Sequence, residues 1–188
     1  HGSYKLAWNQ STSSDVVHLT LSAIDIGTEG MIGIGFGGSG MMDNNDFVIC
    51  EVVSAENATC TDRHGSETRT KPPLDERGDT ELKVERIAFD GDWTSVTFIR
   101  NLAGNDNSDY SLVEDINAGD DTPIIFAWRS GPGIVQHPNS QRGAALVNFV
   151  DGSVDIVCDD PNHYFALHGA LLLLVWMFIA PYGLYHAR

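Results

Sequence analysis

Residues 30–50, GMIGIGFGGSGMMDNNDFVIC, decide the fold class of this chain. The stretch begins with one short apolar run rich in β-forming residues, 31–36 (MIGIGF), and ends in a second, 47–53 (FVICEVV). Runs of this length, bounded by Gly, Asn and Asp clusters, are typical of buried strands. Between them, a Gly-rich loop presents Met41 and Met42 beside an acidic cluster. The stretch therefore predicts two strands joined by a loop that carries chemistry of its own.

Outward from this stretch, the chain continues as short strand patterns. Segments 3–8 and 16–23 alternate polar and apolar residues, which is typical of strands with one buried face. Turn clusters separate these from further β-rich runs, which are 81–89, 93–100, 122–128 and 145–150. No helical pattern of about 10–15 residues precedes residue 164, so βαβ units are not expected. About eight short strands at this spacing predict a mostly β protein, an antiparallel sandwich or barrel.

The charge balance excludes one class of partner. The 188 residues include 11 Lys and Arg against 26 Asp and Glu, a formal net charge of −15. Nucleic-acid binding needs a basic footprint, so we expect no nucleic-acid partner. A hydrophobic content of 42% is enough for a packed core, which excludes a disordered acidic tail.

The C-terminal part of the chain has a different composition. Residues 165–185, FALHGALLLLVWMFIAPYGLY, contain no Asp, Glu, Lys or Arg. As a helix they would span about 31 Å, close to one hydrocarbon core. We therefore predict a single transmembrane helix in residues 164–188, in contact with membrane lipid, after a domain formed by residues 1–160. The alternative is a buried C-terminal helix of a soluble protein.

Two features predict the orientation of this span. Arg188 is the only basic residue after it, and cations are enriched on the cytoplasmic side of membrane helices. Two glycosylation sequons, at Asn9 (NQS) and Asn57 (NAT), fit passage through a secretory pathway. We therefore expect a protein of the cell membrane or an endomembrane with its N-terminal domain extracellular or lumenal.

The three cysteines are too few for a disulfide scaffold and lack zinc-site spacing. In an oxidising compartment they allow one disulfide and one remaining thiol. Residues 47–53 and 58–62 are predicted to form a hairpin that places Cys50 opposite Cys60, near the separation that a disulfide requires. We predict a Cys50–Cys60 bond, with Cys158 free or paired outside this chain.

Two histidines lie where the strand pattern is interrupted. His137 ends the loop 128–138 (WRSGPGIVQHP), and His168 stands at the start of the apolar span. Taken alone, a loop His before Pro is most often a solvated surface residue, and a loop Met is usually incidental. The acidic cluster before residue 47 offers carboxylate and amide oxygens of the kind that Ca²⁺ takes. Residue chemistry alone leaves these alternatives open.

The order of several motifs resembles one known family. In chain order they are residues 30–50, then Cys60-Thr-Asp62-Arg63-His64, Pro72-Pro-Leu-Asp75, 96–102 (VTFIRNL), Asp106 and Asp109, and 122–128 (TPIIFAW). This order resembles the DOMON domain, the β-sandwich found in dopamine β-monooxygenase, cellobiose dehydrogenase and cytochrome b561 fusions. The resemblance covers nearly all of residues 3–150 and implies an antiparallel immunoglobulin-like β-sandwich.

The resemblance also implies a cofactor. In heme-binding DOMON proteins, a Met and a His from loops at one end of the sandwich ligate a b-type heme, and Met42 and His137 match them here. Met41 is the neighbour one position out of register. Thioether sulfur is a soft ligand that favours reduced iron, and His/Met ligation raises the potential relative to two imidazoles. The remaining matched polar residues receive no catalytic role: Asp62 and Arg63 are expected in a structural turn, and His18, His64 and His163 at the surface or in loops.

The tail HGALLLLVWMFIAPYGLYHAR resembles the first core helix of a cytochrome b561 module. The spacing of Met42, Asp46 and Cys50 is most similar to the ferric-chelate reductase 1 group. In such a core His168 would ligate a second heme together with a His on a helix that this chain lacks. The chain is then either a fragment of a longer protein, which we prefer, or a singly anchored heme sandwich.

The expected function follows from this resemblance. The chain would be an extracellular b-type heme domain that relays single electrons between a cytochrome b561-type transmembrane core and an outer acceptor such as ferric iron. Those further helices would belong to the same longer chain or to a separate subunit. It is an electron-transfer protein, and a ferric reductase-like oxidoreductase only when such a core completes it. The alternative is a heme-free, membrane-tethered DOMON module for binding or adhesion, with carbohydrate as one ligand class.

Overall fold

The computed structural model describes residues 3–10, 15–37, 45–65, 72–74, 81–104 and 109–157. Within these ranges the chain forms eleven strands and one short helix. Their bounds are β1 (Tyr4–Gln10), β2 (Val16–Ile24), β3 (Gly30–Phe36), β4 (Asp46–Ser54), β5 (Asn57–His64), β6 (Glu81–Leu82), β7 (Val84–Asp90), β8 (Trp93–Asn101), α1 (Leu112–Ala118), β9 (Thr122–Ser130), β10 (Arg142–Val147) and β11 (Val154–Val157).

The strands form two antiparallel sheets. One has four strands in the order β1-β2-β8-β7, and the other has seven in the order β11-β10-β9-β3-β4-β5-β6. Apolar side chains from both sheets meet in one buried cluster that includes Leu19, Leu21, Ile32 and Phe98. The predicted antiparallel β-sandwich is therefore confirmed.

The strand patterns explain which faces are buried. In β2 and β8 every second residue is buried, as expected for sheets with one face in the core. In β3 and the first half of β4 nearly all residues are buried, so both faces of the larger sheet are covered there. The continuous apolar runs that predicted these two strands reflect this burial on both sides.

Some elements differ from the sequence prediction. The predicted strand 81–89 is divided into β6 and β7, and β10 begins three residues earlier than predicted. Neither β11 nor α1 was predicted. Helix α1 has only seven residues, buries only Leu112, and ends at Gly119 with a left-handed φ of 71°. A helix this short shows no apolar period, and the four-residue β11 is too short for its alternation to stand out.

The predicted disulfide is confirmed. Strands β4 and β5 form the expected hairpin, in which Cys50 and Cys60 are directly opposed. The two residues are joined by a disulfide, and both are fully buried in the core between the sheets. Cys158 lies outside the described residues.

The chain divides into two units, residues 1–157 and 158–188. Only the first contains described residues, so the predicted span 165–185 and His168 lie outside them. Among the described residues, no helix is both long and apolar enough to cross a membrane.

Candidate functional site

The larger sheet carries a second apolar cluster on the face turned away from the core. We call it the outer-face cluster: Met31, Phe47 and Ile49, which are only 6–8% exposed, with Ile125 and Ile134 packed against them. These residues alternate along β3, β4 and β9 with the side chains that enter the core. A sheet face that pointed into water would carry polar residues instead. The apolar residues therefore indicate that this face is shielded from solvent.

Two glycines of β3, Gly33 and Gly35, leave no side chain of their own on this face of the sheet. At Gly35, a Cβ atom would lie 2.6 Å from the Phe47 ring and 3.0 Å from Cγ1 of Ile125, so no larger residue fits without displacing them. At Gly33, an added Cβ would make only ordinary contacts, the nearest at 3.4 Å. The Phe47 ring and the Ile125 side chain therefore pack directly over the β3 backbone at Gly35.

The β9–β10 loop, residues 131–141, folds back onto this face. Its Ile134 packs against the outer-face cluster. The Gly133 N–H donates to Oε1 of Glu51 at 2.9 Å, and Nη1 of Arg129 donates to the Gln136 carbonyl at 3.0 Å. Glu51 and Arg129 belong to the sheet, so the loop is fastened to the face it covers. Sequence analysis missed both residues, because nothing local to either of them distinguishes a loop anchor from a surface charge.

His137 lies on this loop in a form suited to metal ligation. The ring is half-buried, and its Nδ1 lies 3.2 Å from the Pro138 carbonyl. A carbonyl can only accept, so in the neutral ring this bond puts the proton on Nδ1 and leaves the lone pair on Nε2. Burial lowers the pKa of His137; the Pro138 hydrogen bond opposes this shift, and the charge of Arg142 adds to it. The neutral imidazole with a free Nε2 is the form that binds iron, and a hydrogen bond from the other nitrogen is the usual support for such a ligand.

The second predicted ligand, Met42, belongs to the connection between β3 and β4. Met42 and Met41 lie outside the described residues. The connection that contains them follows Phe36, whereas the β9–β10 loop follows Ser130, which pairs with Gly30 at the other end of β3. These connections start about 20 Å apart along the strand at about 3.3 Å per residue. The two connections therefore start at opposite ends of β3, and the outer-face cluster lies between these two exits. Whether Met42 and His137 act together as ligands stays a prediction.

A buried ionic network stands where β4 begins. Asp46 accepts hydrogen bonds from Nη2 of Arg100 and, at 2.8 Å, from the Tyr110 N–H. Arg100 also donates to the Tyr110 carbonyl at 2.7 Å. Oxygen atoms of Asp46, Asp62 and Asp109 lie within 4.8 Å of one another. Part of the acidic cluster that suggested Ca²⁺ thus serves an ion pair with Arg100; the residues 43–44 lie outside the described ranges.

Asp62 and Arg63 differ from their expected setting in a turn. Both lie in β5, and each is only 5% exposed. Arg63 donates to the Thr61 hydroxyl through Nε and to the Pro72 carbonyl through Nη1. Burial and the nearby carboxylates of Asp46 and Asp109, opposed by the charge of Arg100, together raise the pKa of Asp62 to about 8. The turn prediction was wrong because these polar residues sit on strand positions that the fold covers.

A comparison with known protein families matches residues 1–117 to the DOMON domain. The chain belongs to the DOMON family. The match ends within α1, so the β9–β10 loop and His137 of this DOMON protein lie beyond it. A search of curated proteins returned no match.

Among solved structures, the DOMON chain is similar to the cytochrome domain of Myriococcum thermophilum cellobiose dehydrogenase. The two share 13% sequence identity with a TM-score of 0.51, over 80% of this chain and 76% of that one. At this identity the likeness concerns the fold alone. The likeness shows that the two proteins share the arrangement of their sheets.

The other predicted sites of the DOMON domain differ in exposure, and two of them lie outside the described residues. Asn9 on β1 and Asn57 at the start of β5 are both exposed, as a glycan acceptor must be. His18 is a surface residue of β2 whose Nδ1 lies 2.7 Å from Glu85. His64 ends β5 with its Nδ1 buried, so it is less exposed than predicted. His163 and His168 lie outside the described residues.

Proposed function

We propose that this chain binds a b-type heme on the outer face of its seven-stranded sheet and transfers single electrons. One observation carries this proposal: His137, whose Nδ1 lies within hydrogen-bond distance of the Pro138 carbonyl, stands on a loop that packs onto an apolar sheet face. The likeness in fold to a cytochrome domain supports it. The residues fit the group because heme needs both an apolar surface and a neutral imidazole.

The proposed iron ligands are His137 and Met42. Because their connections leave opposite ends of β3, the surface between the two exits is where we place the heme. A bound heme supplies a one-electron couple. His137 would provide the imidazole and Met42 the thioether, and the outer-face cluster would exclude water. With two protein ligands the iron has no open position for O₂, which favours electron transfer over oxygenation.

The proposal extends to a membrane anchor on the evidence of the sequence. Residues 164–188 would form a transmembrane helix similar to the first core helix of a cytochrome b561 module, with the sandwich extracellular or lumenal. His168 would ligate a second heme in that core, completed by a His on another helix. By resemblance to ferric-chelate reductases, electrons from a cytosolic donor would cross the membrane and pass through the DOMON heme to an outer acceptor such as ferric iron.

An absorption spectrum tests the heme assignment. The full chain, mixed with ferric heme and then reduced, should show the α band of a low-spin b-type heme. His137→Ala should lose the heme or leave it high-spin, whereas the control His18→Ala should bind as the wild type does, since His18 is a surface residue paired with Glu85. A wild-type protein that stays colourless would contradict the proposal and favour the heme-free binding module.

A further inference from the structure

The β9–β10 loop is fastened at two points that lie on either side of one residue. Met31 pairs with Glu51 on β4 and with Arg129 on β9, so all three stand in one row across adjacent strands. Glu51 holds the Gly133 N–H, and Arg129 holds the Gln136 carbonyl. Glu51 accepts a hydrogen bond from the loop and Arg129 donates one to it. These two side chains stand on β4 and β9, the strands on either side of β3, and we call the pair the clamp.

The clamp acts on the backbone beside His137. Gln136, whose carbonyl Arg129 holds, immediately precedes the histidine, and the Pro138 carbonyl that follows holds the ring. Gly133 has a left-handed φ of 79°, and an added Cβ there would meet no atom within 4 Å. Space does not require glycine at this position; the backbone conformation does. The residue that Glu51 binds is therefore also the one at which the loop takes a left-handed backbone conformation.

We propose that Glu51 and Arg129 are positioning residues that hold the imidazole of His137 at a fixed height over the outer face. This inference rests on the proposed heme site. A ligand loop that is already ordered loses less conformational freedom when the ligand binds, so the clamp strengthens binding without touching the heme. Residues that orient a metal ligand typically contribute about 10- to 100-fold in affinity.

The test measures heme loss from the heme-loaded full chain to excess apomyoglobin, together with the low-spin fraction in the absorption spectrum. Glu51→Ala and Arg129→Ala should each lose heme about tenfold faster and gain high-spin character. Glu51→Gln should retain most of the wild-type behaviour, because its amide oxygen can still accept from the Gly133 N–H. Matched controls are Glu81→Ala and Arg86→Ala, exposed charges on β6 and β7.

The outcomes separate the two proposals. A wild-type chain that takes up no heme overturns the proposed function and the clamp with it. A wild type that loads, with Glu51→Ala and Arg129→Ala behaving as the controls do, overturns the clamp alone. So does a Glu51→Gln variant that loses heme as fast as Glu51→Ala. Circular dichroism of the heme-free variants checks their folding, and if Glu51→Ala does not fold, Arg129→Ala provides the same test.

Discussion

Arg100 and Asp46 form an ion pair in which each side chain is only 3% exposed. The two residues are 54 positions apart in the chain and bring β8 to the first residue of β4. Arg100 also lies over the Phe36 ring, with its guanidinium carbon 4.7 Å from the ring centroid. Phe36 ends β3 and Asp46 begins β4, so this pair fixes both ends of the connection that contains Met42.

Removing one partner of this pair should destabilise the fold strongly. Arg100→Met leaves the Asp46 carboxylate buried without its counter-ion, which should lower the free energy of unfolding by about 3–5 kcal/mol. Urea unfolding followed by tryptophan fluorescence measures the change. The comparison is Glu85→Gln, which breaks the half-exposed His18–Glu85 pair and should cost less than about 1 kcal/mol. A loss below that value for Arg100→Met would show that the buried pair contributes little.

Asp62 should make the stability depend on pH. Its pKa is raised to about 8 by burial and by the facing carboxylates of Asp46 and Asp109, with Arg100 opposing. The folded state therefore holds a proton that the unfolded state has released. Stability from this group is full below about pH 4 and falls as the pH rises to 8, by at most about 1.4 kcal/mol per pH unit.

Unfolding measured between pH 5 and 8 in the wild type and Asp62→Asn tests this prediction. The Asn variant should show a flatter profile, because it cannot release a proton. Asp90→Asn removes an exposed carboxylate from β7 and should keep the wild-type slope. Parallel profiles for the wild type and Asp62→Asn would mean that Asp62 titrates in its ordinary range.

Exchange of the proposed thioether ligand should change the heme potential. Met42→His should lower the midpoint potential, because a second imidazole stabilises ferric iron better than a thioether does. Spectroelectrochemistry of the reconstituted full chain gives the value. Met41→His serves as the register control and should leave the potential unchanged. If only the Met41 variant shifts the potential, the ligand is one position earlier than proposed.

The buried disulfide should contribute to stability. Loss of the Cys50–Cys60 bond in a Cys50→Ala/Cys60→Ala variant should lower the free energy of unfolding by about 2–4 kcal/mol. Cys158→Ala, assayed in the same way, should match the wild type. Peptide mapping of the native protein provides a direct check, and a peptide that joins Cys158 to either of the other cysteines would contradict the assignment.

The proposed membrane orientation predicts that the β-sandwich is glycosylated. Asn57 is exposed and should carry a glycan in the native protein, which peptide mass spectrometry detects. Protection of residues 1–163 from protease added to intact cells would contradict the orientation. For the second proposed heme, His168→Ala in the full-length protein should remove about one heme equivalent while the sandwich heme persists. An unchanged heme content would exclude His168 as a ligand.

The sequence by itself determined the layered β architecture and one cross-link. Alternation in 16–23 predicted a strand with one buried face, because side chains on a strand point to opposite faces in turn. The Cys50–Cys60 bond followed from a hairpin whose pairing is local. Such features depend only on residues near one another in the chain, so they can be predicted from short segments of the sequence.

Only the tertiary structure decided how the candidate site is assembled. The order of strands, with β9 and β4 on either side of β3, brings Glu51 and Arg129 together beneath a loop that follows neither β3 nor β4. The same order places the exits toward Met42 and His137 at opposite ends of β3, which the motif spacing did not reveal. The Asp46–Arg100 pair likewise joins the two sheets across 54 residues. Pairing of distant strands depends on the packing free energy of the whole core, and no local pattern of polar residues carries that information.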